Sequence, residues 1–209
     1  MRSPPFKQSL SRVILLRSRN RRRLRNCCWL ILLLGGTMIV SPTLQAQHSN
    51  PTEYEVKAAY IYNFSRFVEW PAKAAQAQSD SFTICVLGQN PFGSALIATI
   101  ANETITGKSV VAKQIPAALD AVNCRVLFIS SSEEGQLKEI LASLNDASVL
   151  TVSDLPRFAE RGGMVQFVME GNKVHFEVNL APAQRAGLIL SSEVLKVATS
   201  VKKNFPGRN

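Results

Sequence analysis

Apolar positions along residues 53–69 recur at Val56, Tyr60, Phe64 and Phe67, spaced by four, four and three, which predicts an amphipathic helix. Thr52 followed by Glu55 gives that helix a capping box, and Pro71 ends it. Ala72 to Ser81 is small and polar and reads as an exposed loop. The period then changes. Ser81–Leu87 is a short β-branched run closed by Gly88, and Pro91–Ile100 reads as a helix capped by Asn90. Residues 109–115 follow the Thr106-Gly107-Lys108 turn as a second strand, and residues 125–130 form a third. Residues 132–144 read as a helix with Leu137, Ile140, Leu141 and Leu144 on one face; residues 148–152 are a fourth strand, with a helical turn near Leu155 to Ala159.

Near the end, Met164–Met169 and Lys173–Leu180 flank Glu170-Gly171-Asn172, a tight turn that joins antiparallel strands. Val174, Phe176 and Val178 share one face of the second strand, while His175, Glu177 and Asn179 share the other. Ser191 or Ser192 caps a final helix to about Lys203, with Val194, Leu195, Val197, Ala198 and Val201 as its apolar residues. Strands alternating with helices predict an α/β fold. It is a single three-layer domain with a mostly parallel sheet, helices on both faces and a C-terminal antiparallel hairpin. No internal repeat and no long linker divides residues 47–209.

The charge of the chain is unevenly placed. The formal net charge is +9, from 24 Lys and Arg against 15 Asp and Glu, yet nine of the basic residues lie in the first 25 positions and no acidic residue precedes Glu53. From residue 47 onward the two signs balance, which removes the compositional support for a nucleic-acid-binding domain. The basic stretch leads into an uncharged run, Cys28–Val40, and then into Ser41-Pro42-Thr43-Leu44-Gln45-Ala46. This is the layout of a cleaved secretory signal over residues 1–46, since the apolar run is short of the ~20 residues that a spanning helix needs. A periplasmic destination follows.

Removal of such a signal takes Cys27 and Cys28 with it and leaves Cys85 and Cys124. An oxidising compartment permits a disulfide between them, and a loop of that size is worth roughly 4 kcal/mol in the chain-entropy model. Two buried free thiols are the alternative. In a doubly wound sheet the first and third strands are neighbours, and aligning Leu87 with Phe128 sets Cys85 beside the start of the strand after Cys124.

Catalytic chemistry is sparse. The two histidines, His48 and His175, have no partner at metal-ligand spacing, so no metal site is expected, nor any cofactor. Ser153, Asp154 and His175 could be assembled into a triad, but no G-x-S-x-G elbow is present and Ser153-Asp154 reads better as a cap. Gly88 to Gly93 follows a strand where a dinucleotide fold places its glycine turn, but lacks G-x-G-x-x-G spacing; a turn with proline at the first helical position is the better reading, although its backbone could hold a small anion. Arg161-Gly162-Gly163 reads as a turn into the hairpin.

Seven segments, taken in order, resemble the YfiR family: Phe64–Pro71; Cys85-Val86-Leu87-Gly88 with Pro91-Phe92; Cys124–Ser130; Val149–Asp154; Phe158–Gly163; Phe176–Leu180; and Ala186-Gly187-Leu188 with Ser191-Ser192. They cover about residues 54–203. The resemblance implies a periplasmic α/β domain without enzymatic activity. It would restrain an inner-membrane diguanylate cyclase (YfiN-like) by binding its periplasmic part, and an OmpA-like outer-membrane lipoprotein (YfiB-like) would sequester it, so that biofilm formation and cyclic-di-GMP come under its control. It also implies redox sensitivity through paired cysteines, of which only Cys85 and Cys124 have counterparts here. A second copy of the chain is a further candidate partner. The competing reading is a periplasmic small-molecule binder that serves a transporter or a sensor kinase. Phe64, Phe67 and Trp70 are the candidate partner-binding residues, because large aromatics anchor interfaces; burial of all three against the sheet is the alternative, and Trp70 is expected to be the most exposed.

Overall fold

Thr52 accepts a hydrogen bond from the Glu55 amide at 3.3 Å, and its own amide donates to the Glu55 carboxylate at 2.6 Å, which fixes the start of helix α1 (Glu53–Phe67). The computed structural model describes residues 50–72, 80–145 and 147–203. The leader read at residues 1–46, His48 and most of the loop read at 72–81 lie outside the described residues. The helix stops two residues earlier than its hydrophobic pattern predicts, because Val68–Glu69 forms strand β1. Its buried face is Lys57, Ala58, Ile61, Phe64 and Ser65. The stripe read through Val56, Tyr60 and Phe67 is thus rotated: Val56 and Tyr60 flank the buried face and Phe67 is exposed. Lys57 conceals the true period, since a buried lysine reads as polar.

Among the described residues eight strands make the main sheet, in the order β10 (Ser200–Lys202), β8 (Lys173–Asn179), β7 (Val165–Glu170), β6 (Leu150–Ser153), β5 (Val126–Ile129), β2 (Ser81–Leu87), β4 (Lys108–Ile115) and β3 (Thr104–Ile105). Its parallel core is β2, β4, β5, β6 and β7, and β7 turns through Gly171 into antiparallel β8. The predicted α/β class and its C-terminal hairpin are what the chain adopts. Gly171 has φ of 60°, the left-handed conformation that a tight hairpin turn demands. The sheet buries both faces. Phe82, Ile84, Val86, Val126 and Phe128 face α1, α2 (Ala95–Ile100) and α5 (Ser192–Val197). Cys85, Leu87, Leu127 and Ile129 face the other way, onto α3 (Leu137–Ser143) and Phe158. Period-two alternation in strands with no polar face is what a three-layer fold produces.

Several short elements depart from the sequence reading. The helix expected from Pro91 begins only at Ala95, because Gly93 at φ of 55° breaks the chain and Asn90 Oδ1 accepts from the Phe92 amide instead of capping a helix. Thr104–Ile105 forms β3, a two-residue edge strand antiparallel to β4. Ala118–Asn123 is a 3-10 segment, and so is Ser131–Gln136, which takes the first half of the helix predicted over 132–144. Residues 155–162 are turns without a helix. Asn179 caps a further helix, α4 (Leu180–Arg185), by accepting from the Ala181 amide. Ile189–Leu190 is β9, paired with β1. The final helix runs from Ser192 to Val197 only, and Ser200–Lys202 turns into β10, parallel to β8. Sheet pairing of Val201 with Val178 overrides the helical period that Val201 seemed to continue.

Candidate functional site

Cys85 and Cys124 form a disulfide with Cα atoms 5.9 Å apart, inside the usual span for that bond. The neighbouring strands are in the order foreseen, but their register is shifted by one: Leu87 pairs with Ile129 and Cys85 with Leu127. Cys124 precedes β5 and reaches back to the middle of β2. Both cysteines are buried, at 1% and 2% exposure, so the bond staples the second core cluster from within.

The crevice at the carboxyl ends of β2 and β5, where chain direction across the sheet reverses, is the usual ligand position in such folds. Here it is filled. The Gln89 amide donates to Ser132 Oγ at 3.0 Å, Ser132 Oγ donates to the Glu133 carboxylate at 2.9 Å, and a Cβ on Gly88 would collide with both side chains. A carboxylate therefore stands where an incoming anion would have to sit. Ser153 is likewise committed, its hydroxyl donating to the Ile129 carbonyl at 2.7 Å and accepting from the Leu155 amide at 3.1 Å. Asp154 accepts from Tyr54 Oη at 2.9 Å and from Lys57 Nζ at 2.6 Å, and His175 lies on β8 opposite Val168. Among the described residues no hydrogen bond or ion pair joins the side chains of the conceivable triad to one another.

Lys57 is the centre of a buried charge cluster that its sequence neighbourhood does not announce. Its ammonium touches Glu53 at 2.5 Å and Asp154 at 2.6 Å and lies 4.4 Å from the Tyr54 ring centroid. Its side chain is 3% exposed. Burial first, and then the charge and hydrogen bond of Asp154, push the Tyr54 phenol well above its ordinary range. The cluster ties the first turn of α1 to the end of β6.

The three candidate aromatics have different surroundings. Phe64 is buried, its ring 4.9 Å from that of Phe176 and 6.1 Å from that of Phe167. It presents no surface to a partner. Phe67 is 38% exposed and is the most exposed of the three. The Arg66 guanidinium lies 5.6 Å from the Phe67 ring centroid and 5.8 Å from that of Tyr62, and the adjoining pair of β1 and β9 exposes Ile189 at 63%. Trp70 is half-buried and packs edge-on against Phe82, ring centroids 5.3 Å apart. Its indole N–H is buried and finds no acceptor among the described residues.

Beside Trp70 a cavity of about 410 Å³ opens at the amino ends of β2, β4 and β5. Val68, Trp70, Phe82 and Ile105 give it apolar walls; Arg66, Lys108 and Arg125 bring three cations and Glu69 one carboxylate. Burial holds the Arg125 guanidinium below the ordinary arginine value. Its lining comes from α1, β1, β2, β3, β4 and the residue before β5, so no contiguous motif could have revealed it. A second hollow, of about 370 Å³, lies on the opposite face of the sheet between Leu87, Pro116, Leu119, Glu133, Glu139 and Ile140.

A crystal structure of a conserved domain protein from Vibrio cholerae O1 biovar El Tor is similar to this chain at a TM-score of 0.51 and 14% sequence identity. The match covers 74% of this chain and 62% of that one. It supports the α/β fold alone, and this chain spans less than two thirds of that protein. A structure of an ABC domain in complex with L-Trp from Streptococcus pneumoniae is similar at a TM-score of 0.43 and 14% identity, covering 57% of this chain and 55% of that one. Among the described residues no helix is long and apolar enough to cross a membrane. The family model described as YfiR/HmsC-like matches residues 54–199. The family so described is one of periplasmic regulators of cyclic-di-GMP signalling. The match runs from the first turn of α1 to the approach to β10, and on it the chain belongs to the YfiR/HmsC-like family.

Proposed function

We propose that this protein, exported by a signal over residues 1–46, restrains an inner-membrane diguanylate cyclase by docking on the cyclase's periplasmic part, and that an OmpA-like outer-membrane lipoprotein competes for it. The observation that carries this reading is the family match over residues 54–199. Docking needs no chemistry from this chain. Control requires only a difference in affinity between two states of the cyclase, and each tenfold preference is worth about 1.4 kcal/mol. We place the docking face at the end of α1 and the adjoining pair of β1 and β9, where Phe67 and Ile189 are exposed and the Arg66 guanidinium lies over the Phe67 ring. An exposed aromatic stacked with an arginine is the composition of an interface anchor.

Deletion of the gene is expected to raise cyclic-di-GMP, increase biofilm and reduce motility; unchanged cyclic-di-GMP in a cell whose neighbouring gene encodes a periplasmically exposed cyclase rejects the reading. Phe67→Ala is expected to weaken binding of the cyclase's periplasmic domain at least tenfold while leaving stability within about 0.5 kcal/mol, as for an ordinary surface position. Isothermal titration with that domain, beside urea unfolding of the variant, measures both quantities. Full affinity with Phe67→Ala moves the docking face elsewhere.

A further inference from the structure

The 3-10 segment Ala118–Asn123 is packed inside out. Side chains three apart eclipse one another in such a helix, so its sequence makes three rows: Ala118 with Ala121, Leu119 with Val122, and Asp120 with Asn123. The alanine row faces the second core cluster, where Ala121 is fully buried and Ala118 packs against it. The row of large aliphatic side chains faces outward. Leu119 is 73% exposed, the most of any large apolar residue among the described residues, and Val122 is 59% exposed. Folding alone favours the opposite choice, since burying a leucine or a valine removes more apolar area from water than burying an alanine. We propose that this row is a docking surface for an amphipathic segment of another protein, in which lysine or arginine flanks a large apolar side chain.

The shape and charge around the row define what fits it. Leu119 is one wall of the hollow of about 370 Å³ that Leu87, Pro116 and Ile140 also line, so the exposed row continues into a recess with room for a partner's apolar side chain. The charged lining is of one sign. Glu133 and Glu139 belong to it and no lysine, arginine or histidine does, while Asp120 adds a carboxylate on the Leu119 segment. Glu133 accepts from the Ser132 hydroxyl, and among the described residues no ion pair engages Glu133, Glu139 or Asp120. Lys138, beside Glu139 in α3, lies outside the lining. An apolar surface rimmed by polar groups marks an interaction site, and here charge complementarity selects the partner. A second copy of this chain would lay carboxylate on carboxylate, because a two-fold contact puts the same patch on both sides. An anionic membrane surface would be repelled in the same way. A small molecule in the hollow would leave Val122, outside the lining, uncovered.

This surface rests on the second core cluster, on the face of the sheet opposite α1, and draws on none of the residues at Phe67. Binding is read on the full-length protein by fluorescence anisotropy, with no cyclase present. The probe is the fluorescein-labelled peptide GLKKLLKKLG, beside GLEELLEELG with its charges reversed and GSKKSSKKSG with its apolar side chains removed. The first peptide is expected to bind at least tenfold more tightly than either of the others, and added salt is expected to weaken it. Leu119→Ser and Glu139→Lys are each expected to weaken it about tenfold while the melting temperature holds, as at ordinary exposed positions. Val122→Ser is the second apolar variant should Leu119→Ser fail to fold. Phe67→Ala is expected to keep full affinity. Equal binding of the three peptides, binding by none of them, full affinity in the folded Leu119 or Val122 and Glu139 variants, or loss of binding with Phe67→Ala overturns the proposal. The first three outcomes leave the cyclase reading as it stands, since that reading is tested by the partner's domain alone.

Discussion

Cys85→Ala is expected to cost the oxidised protein about 4 kcal/mol of stability. The bond joins residues 39 apart in sequence, and opening it returns that loop's conformational freedom to the unfolded chain. For a domain of this size each kcal/mol moves the melting temperature by roughly 2–4 °C, so a fall of about 8–16 °C is the expected result by calorimetry. Unfolding in excess dithiothreitol supplies the control. The wild type loses the same constraint there, and the two proteins are expected to melt within a few degrees of each other, the remainder being the small void left by the missing sulfur. Coincident melting in oxidant would remove the bond from the stability of the fold. Because both sulfurs lie inside the second core cluster, loss of the bond loosens β2 against the approach to β5 and leaves the α1 face packed.

Lys57→Met is expected to cost about 3–5 kcal/mol, the penalty for leaving one member of a buried ion pair without its partner. Asp154, with its side chain 15% exposed, would keep only the Tyr54 hydroxyl as donor among side chains. Glu53 is far more open, at 41%, and is solvated readily when the ammonium is gone. The double variant Lys57→Met, Asp154→Asn removes both charges at once and is expected to recover most of the loss, since methionine fills the same channel among Tyr54, Phe167 and α1. Urea midpoints at constant slope measure the cycle. If the double variant is as damaged as the sum of the singles, the two side chains act independently and the cluster is not what holds α1 to β6.

The residues that sequence reading placed correctly are those whose neighbours along the chain determine them. The capping box at Thr52 and Glu55, the strand 81–87 and the hairpin about Gly171 each depend on contacts within a few positions. The failures have a common cause in long-range pairing. Val201 continues a helical stripe in sequence yet pairs with Val178 in the sheet, and Val68 leaves α1 because Leu190 offers it a strand partner. The buried face of α1 was misread because Lys57 is neutralised by Asp154, 97 residues away. The disulfide and its two strands were legible from compartment and topology, though not their register. The cavity beside Trp70 was invisible for a plainer reason: its cations, Arg66, Lys108 and Arg125, are spread over 60 positions and converge only when the sheet forms.

The ring contact between Phe64 and Phe176 joins the first helix to one of the last strands. In a chain that emerges amino end first, α1 is complete long before Phe167 and Phe176 arrive to cover Phe64, and Val178 and Val194 come later still. Folding is therefore governed by contacts distant in sequence, which close slowly. A nascent chain cannot lock its core until nearly all of it has emerged, so the topology itself delays folding. The same delay leaves Phe64 without Phe167 and Phe176 in every fragment that ends before β7, and such fragments are the form of this protein most in need of a chaperone.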